Sequence, residues 1–170
     1  VAYALPAYRV PQCSRTAKGT PVVQLLPIPR EEAITSLLAV SEFNDDTDLL
    51  MLTQGGFIKL TRLSAFSNIR SNGLIAIGLE DGDALTWVRL SIPGDSVLIG
   101  SKAGMTIHFR LADGELRPLG RTARGVRSMN LRKGDSVVSM DVLPAELADQ
   151  IAASADEAED GDDAGDVVDR

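Results

Sequence analysis

Arg121-Thr122-Ala123-Arg124-Gly125-Val126-Arg127-Ser128 is the third occurrence of one plan. It also runs through Arg15-Thr16-Ala17-Lys18-Gly19-Thr20-Pro21-Val22 and Ile69-Arg70-Ser71-Asn72-Gly73-Leu74-Ile75-Ala76. Each occurrence has small or cationic residues, then a glycine, then an apolar alternating run. Gly19, Gly73 and Gly125 lie 54 and 52 residues apart. A fixed step of this size marks a repeat array with one supersecondary unit per period. The recurring turn carries cations, so a stacked or closed array draws a line of positive charge around a surface. Such a line suits a long polyanion.

Two further echoes keep the same order. The run Leu50-Met51-Leu52-Thr53-Gln54-Gly55-Gly56-Phe57-Ile58-Lys59-Leu60 matches Val97-Leu98-Ile99-Gly100-Ser101-Lys102-Ala103-Gly104-Met105-Thr106-Ile107-His108-Phe109, with Gly56 and Gly104 placed 48 residues apart. Each reads as a strand, a short turn ending in glycine, and a returning strand. Glycine is favoured there because hairpin turns need positive φ. Gly82-Asp83 and Gly134-Asp135 each fall nine residues after the basic-turn glycine and precede an apolar run. The first unit has Pro27-Ile28-Pro29-Arg30 in place of this anchor, so the repeat is imperfect.

Short β-rich runs dominate: residues 22–26, 34–40, 49–52, 57–60, 75–79, 85–90, 96–100, 105–109, 126–131 and 136–142, with a strand-like start at 1–5. Gly, Asp, Asn and Pro clusters separate them, a pattern of all-β sandwiches, barrels and propellers. The repeat selects the propeller type, in which four-stranded blades stack radially. At a period near 50 residues the chain holds about three blades of a larger disc, the first and last incomplete. Residues 63–66 read as a helical turn. We assign residues 1–144 to the blades and 145–170 to an acidic, disordered linker or tail, although 145–155 have the composition of a short helix.

Composition sets the remaining bounds. The chain has 170 residues, is 44% hydrophobic and holds 15 glycines and 8 prolines, enough for a core with many tight turns. Aromatic residues make up 4%, which argues against base stacking as the mode of nucleic-acid binding. The one cysteine, Cys13, excludes a disulfide framework and suits a reducing, cytoplasmic setting. No apolar run approaches the roughly 18 residues of a membrane span. With Val1 first and a strand-like run at once, the chain reads as a piece of a longer protein. The net charge of −7 divides unevenly: residues 146–170 hold ten acids and one arginine, and the rest is slightly basic. That asymmetry is a hint of nucleic-acid binding joined to an acidic end.

Catalytic chemistry is not visible. His108 stands alone in a strand-like run, Cys13 has no histidine near it in sequence, and Trp87 reads as a core residue. Neither a phosphate-binding G-x-x-x-x-G-K-[ST] loop nor a G-x-G-x-x-G fingerprint occurs. The acids of Gly82-Asp83 and Gly134-Asp135 read as turn residues that accept from nearby backbone N–H groups. We therefore expect no catalytic residue, no metal ligand and no cofactor site. Single cations in turns are usually solvated and nothing more. Recurrence changes that reading, because Arg15 and Lys18 match Arg121 and Arg124 in offset from their glycines. Arg15, Lys18, Arg70, Arg121, Arg124 and Arg127 are the expected DNA contacts, and Lys59, Arg62, Lys102 and Arg110 on the second hairpins would widen the track. Such contacts position a duplex without reading its sequence, and each neutralised phosphate steepens the salt dependence.

These residues resemble a known family. Arg121-Thr122-Ala123-Arg124-Gly125-Val126-Arg127, followed by Asn130-Leu131 and Gly134-Asp135-Ser136-Val137-Val138, is similar to the blade signature of the DNA gyrase A C-terminal domain. Residues 17–27 and 73–77 resemble neighbouring blades, and the resemblance covers about residues 1–143. It implies a β-pinwheel, a propeller-like disc whose basic rim bends double-stranded DNA around itself so that an ATP-driven enzyme can introduce negative supercoils. It further implies partners: the remaining gyrase A blades and the gyrase B protein in an A2B2 assembly. ATP and Mg2+ act elsewhere in such an enzyme, as does the nucleophilic tyrosine, which is neither Tyr3 nor Tyr8. The family's glutamine-arginine-glycine box does not occur here, which keeps the corresponding domain of topoisomerase IV as an alternative. A propeller-type protein-interaction scaffold is the other. The acidic end departs from the pattern, and we expect it to compete with DNA for the basic rim.

Overall fold

Alternation of apolar residues on either side of a glycine turn produces the two hairpins at the centre of the fold. A computed structural model describes residues 1–29, 32–111 and 116–150. In it β1 (Asp48–Thr53) and β2 (Phe57–Arg62) pair antiparallel, with Met51 opposite Lys59 and Gly56 closing the turn at φ 84°. β3 (Leu85–Ser91) lies on the other side of β1, and the two-residue β6 (Val126–Arg127) lies beside β2, giving the order β3-β1-β2-β6. The second hairpin, β4 (Ser96–Ser101) and β5 (Thr106–Arg110), is joined by β7 (Val137–Leu143) in the order β5-β4-β7. The likeness of the units extends to their irregularities. The ladder slips at Leu52/Thr53 against β3 and at Gly100/Ser101 against β7. The hydroxyls of Thr53 and Ser101 accept from the N–H groups of Phe57 and Met105 at 3.1 and 3.3 Å.

The blades exchange chain. β6 follows the second hairpin in sequence but pairs with the first, Val126 opposite Ile58. One unit earlier, Leu74 bridges Ala2, with reciprocal N–H···O bonds of 2.8 and 2.9 Å. In both cases the residue after the basic-turn glycine docks on a segment of the preceding unit. β5 has a partner on one side only among the described residues.

β1 is buried along its whole length because it is covered on both faces. Leu50, Leu52, Ile58 and Leu60 pack against Val97, Ile99, Val137 and Met140 of the second sheet. Leu49 and Met51 point the other way, towards Phe66, Ala76, Ile77 and Val88, with Ala2, Leu38 and Leu74 at the margin. Removing such a side chain from water contributes about 1.5–3 kcal/mol each. Two apolar layers therefore hold the four-stranded sheet between its neighbours, as expected for stacked blades.

Several expected strands take another form. Of residues 22–26, Val22–Gln24 form a 3-10 turn, and residues 34–40 join no ladder. Pro21, Pro27 and Pro29 deprive this stretch of N–H donors. The run at 1–5 contributes one bridge and leads into a 3-10 turn, Ala7–Arg9. In 75–79 the apolar residues pack instead of pairing: Ala76 and Ile77 are buried, and the Gly78 N–H donates to the Ala123 carbonyl at 3.1 Å. Of 126–131, β6 takes two residues. The turn at Leu63–Phe66 is present as a 3-10 turn. Residues 145–150 are helical, with Ala148 buried. The expected disorder of the acidic tail, from 151 on, falls outside the described residues. Among the described residues, no helix is long and apolar enough to cross a membrane, and no group of three His, Cys, Asp or Glu could hold a metal ion.

Candidate nucleic-acid interface

Glycine is required in the second and third basic turns by contact as well as conformation. Gly125 has φ 105°, and a Cβ there would lie 2.4 Å from the Ile58 carbonyl oxygen. Gly73, at φ 82°, lies so close to Val1 that a Cβ would come within 2.4 Å of its side chain. The second and third turns are thus pressed onto the chain below, which fixes where their cations stand. The Ser128 N–H and hydroxyl both donate to the Gly56 carbonyl at 2.8 Å, pinning the third turn to the hairpin loop.

The cations of the third turn are individually held. The Arg124 guanidinium lies over the Phe57 ring, 4.4 Å from its centroid, and Arg127 lies 5.6 Å from the same centroid. Arg124 also pairs with Glu80. Arg121 donates from Nη1 to the Ala65 carbonyl at 3.0 Å. Arg70 is exposed on the second turn, and it lines a groove between successive turns together with Asn68, Asn72, Arg121 and Thr122. Arg15 and Lys18 are exposed on the first turn, whose Gly19 has nothing within 4 Å of a notional Cβ. The structure therefore gathers Arg70 with Arg121, and Arg124 with Arg127. Arg15 and Lys18 belong to neither pair.

The second-hairpin cations have different situations. Lys102 is exposed in the β4–β5 turn. Arg110 is exposed and paired with Asp149. Arg62 is half-exposed and engaged, donating to the Asp45 carbonyl at 2.9 Å and to Asp48 Oδ2 at 3.4 Å. Burial pushes the Asp48 carboxyl above the usual carboxylate range, and the Arg62 charge works against that shift. The expectation for Lys59 has to be corrected. Its side chain has no exposure, and Nζ donates to four backbone carbonyls: Ala76 (2.6 Å), Arg121 (2.7 Å), Ala123 (3.1 Å) and Gly120 (3.2 Å). Desolvation lowers its pKa to about 8. An ammonium so enclosed cannot meet a phosphate. The period of two in β2 does not reveal this, because Lys59 alternates towards a face that the next basic turn covers.

Sequence reasoning also missed Phe57. Low aromatic content argued against base stacking, but this ring serves arginines instead. No periodic signal marks it, since Met105 holds the same place after Gly104. The Gly-Asp anchors behave as read. Asp83 Oδ1 accepts from the N–H groups of Gly55 and Ala84, both at 2.8 Å. Asp135 Oδ1 accepts from Ala103 at 2.9 Å and Ser136 at 2.8 Å. Each carboxylate clasps the hairpin turn of its own blade.

The family model for the DNA gyrase C-terminal domain, a β-propeller, matches residues 2–41, 47–91 and 95–144, three segments that follow the repeats described above. The chain belongs to the DNA gyrase C-terminal domain family. Among relatives, the gyrase A protein of Synechocystis sp. is 58% identical over 167 residues, which is 98% of this chain and 19% of that protein. The chain thus spans about a fifth of the length of that relative. Two solved structures share the fold at 27% identity. One is the C-terminal domain of DNA topoisomerase IV, with TM-score 0.68 over 74% of this chain and 39% of that one. The other is the DNA gyrase A C-terminal domain, with TM-score 0.62 over 73% and 40%. Fold alone does not separate gyrase from topoisomerase IV. The 58% identity favours the gyrase side.

Proposed function

We propose that the chain is a DNA-wrapping module of a gyrase A protein, binding double-stranded DNA without sequence preference and supporting ATP-dependent negative supercoiling by the whole enzyme. The observation that carries this reading is the recurrence of glycine-centred cationic turns docked at equivalent places, with Arg70 and Arg121 on one groove and Arg124 beside Arg127. Two successive turns then present their cations side by side to a duplex. Phosphate contacts of this kind fix position and carry no sequence information. Arg70, Arg121, Arg124 and Arg127 are the contacts we place first, with Arg15, Lys18 and Lys102 beside them. Arg124, Arg62 and Arg110 would have to leave the carboxylates they now hold. By family membership the partners are the remaining blades and a gyrase B protein in an A2B2 assembly in the cytoplasm, and ATP and Mg2+ are bound elsewhere in that assembly.

The test is fluorescence anisotropy of the 170-residue chain with a long random-sequence duplex across a salt series. Affinity should fall steeply with salt and be indifferent to sequence. Replacing Arg121 and Arg124 together by alanine should weaken binding to all sequences alike and lower the salt slope by about 2. Sequence-selective loss, or no binding at low salt by folded protein, would refute the reading.

A further inference from the structure

Lys59 is the one candidate cation that faces inward, and what it grips is informative. Its side chain is wholly shielded from solvent. Of its four acceptors, Ala76 closes the second basic turn, whereas Gly120, Arg121 and Ala123 begin the third. A single charged group on β2 therefore ties two successive turns together from below. Those are the turns whose Arg70 and Arg121 line the shared groove. The oxygens of Gly120, Arg121 and Ala123 converge on one point; those of Gly120 and Ala123 also accept from the N–H groups of Ala123 and Gly78, whereas the Arg121 and Ala76 oxygens take their hydrogen bond from Nζ and would be left unmet without it. Unmet buried acceptors carry a desolvation cost, so the loop would open to hydrate them.

We propose that Lys59 is a positioning residue that sets the spacing of Arg70 and Arg121, so that the groove between them seats one phosphate of the DNA backbone. The inference rests on the DNA-wrapping reading, but its structural half stands apart from it. Phosphate fits the groove by chemistry: two guanidiniums with the amides of Asn68 and Asn72 and the hydroxyl of Thr122 offer donors suited to an anion. Lys59 does not touch the phosphate; it holds the backbone that displays the arginines.

Proton loss from Lys59 removes a donor from this grip. The charged groups on the elements packed around it are Arg121 and Arg124 on the third turn, Arg127 on β6 and Arg70 on the second turn, with Glu80 engaged by Arg124. β1 presents the uncharged Met51 opposite. All four acceptors of Nζ are main-chain carbonyls, and burial lowers its pKa to about 8. The grip is therefore complete near pH 7 and weakens as the pH rises through about 8.

The experiment uses the full 170-residue chain and Lys59→Met, a variant of similar volume that cannot donate. Hydrogen exchange followed by mass spectrometry should show residues 70–76 and 120–126 less protected in Lys59→Met, with β1 and β4 unchanged. Duplex affinity of the variant should fall about tenfold and its salt slope by about 1, the loss of one phosphate contact. Wild-type affinity should decline between about pH 7 and about pH 9.5, and that of Lys59→Met should not. A folded variant with wild-type exchange, affinity and slope overturns the proposal. If the variant does not fold, a flat wild-type affinity over the same pH range overturns it. Failure of the wild type to bind duplex at low salt sinks the wrapping reading instead, and the exchange data still decide whether Lys59 holds the two turns.

Discussion

Two glycines with the same backbone conformation separate strain from crowding. Gly104 and Gly125 both have positive φ, 83° and 105°, but only Gly125 is pressed against a strand. Alanine at Gly104 meets open space and should cost about 1–2 kcal/mol, the strain of a side chain in the left-handed region. Gly125→Ala carries that strain plus a collision with the Ile58 carbonyl, adding about 1–3 kcal/mol of overpacking. Urea denaturation reads the difference, and equal midpoints for the two variants would show that the turn does not need to lie so close. Asp135 gives a second test at this scale. Burial alone would raise its pKa, but hydrogen bonds from the Ser101 hydroxyl and the N–H groups of Ala103 and Ser136, with the Arg132 charge, hold its carboxyl below the usual range. A carboxyl depressed on folding stabilises the fold above its unfolded pKa, near about 4, and that stabilisation is lost as the pH falls through the folded value. The acid limb of stability should therefore be shallower in Asp135→Asn than in the wild type, measured by denaturant titrations between about pH 5 and about pH 2.5.

At the scale of elements, what the sequence disclosed follows from how each strand meets its neighbours. β1, β2, β3, β4, β5 and β7 were legible because apolar alternation, a glycine turn and a Gly-Asp anchor all report on contacts within one blade. Their ends fall within two residues of the expected ones. The run at 126–131 was not legible as a two-residue strand, since β6 docks on another blade and leaves the ladder once it has passed Phe57. Residues 75–79 were not legible either: Ala76 and Ile77 pack against Leu49, Met51, Phe66 and Val88 without joining a ladder, while Ile75 and Leu79 are exposed. Lys59 shows the limit for the site. A lysine on a short strand between basic turns reads as a surface cation until the turn that covers it is placed. The same crossing connection brings Glu80 to Arg124 across the two units. Both side chains are about half exposed, so their pairing adds little to stability. It does occupy a guanidinium that DNA would need. Glu80→Gln should tighten duplex binding about two- to fivefold at low salt, with unchanged thermal stability. Anisotropy on the variant checks this, and unaltered or weaker affinity would mean that Arg124 makes no phosphate contact.

Over the whole molecule, charge is divided between a slightly basic body and an acidic end, and the two meet in the structure. Asp149, on the helical residues 145–150, pairs with Arg110, and Ala148 beside it is buried. One acid of this segment, Asp149, thus sits on one of the cations expected to extend the DNA track. Beyond them, residues 151–170 carry eight more acids and one arginine. A segment with that charge, tethered to the blades, would raise the local concentration of anions near the basic turns and compete with phosphate for them. Removal of residues 151–170 leaves the helical residues in place and should raise duplex affinity severalfold at low salt. Because the competition is between exposed charges, the gain should shrink as ionic strength rises and the Debye length falls from about 30 Å at 0.01 M to about 8 Å at 0.15 M. Wild-type and truncated curves of log affinity against log salt should therefore converge at high salt. Parallel curves would indicate a salt-independent contact of the segment with the blades, and coincident curves would show that the acidic end does not reach the cations that bind DNA.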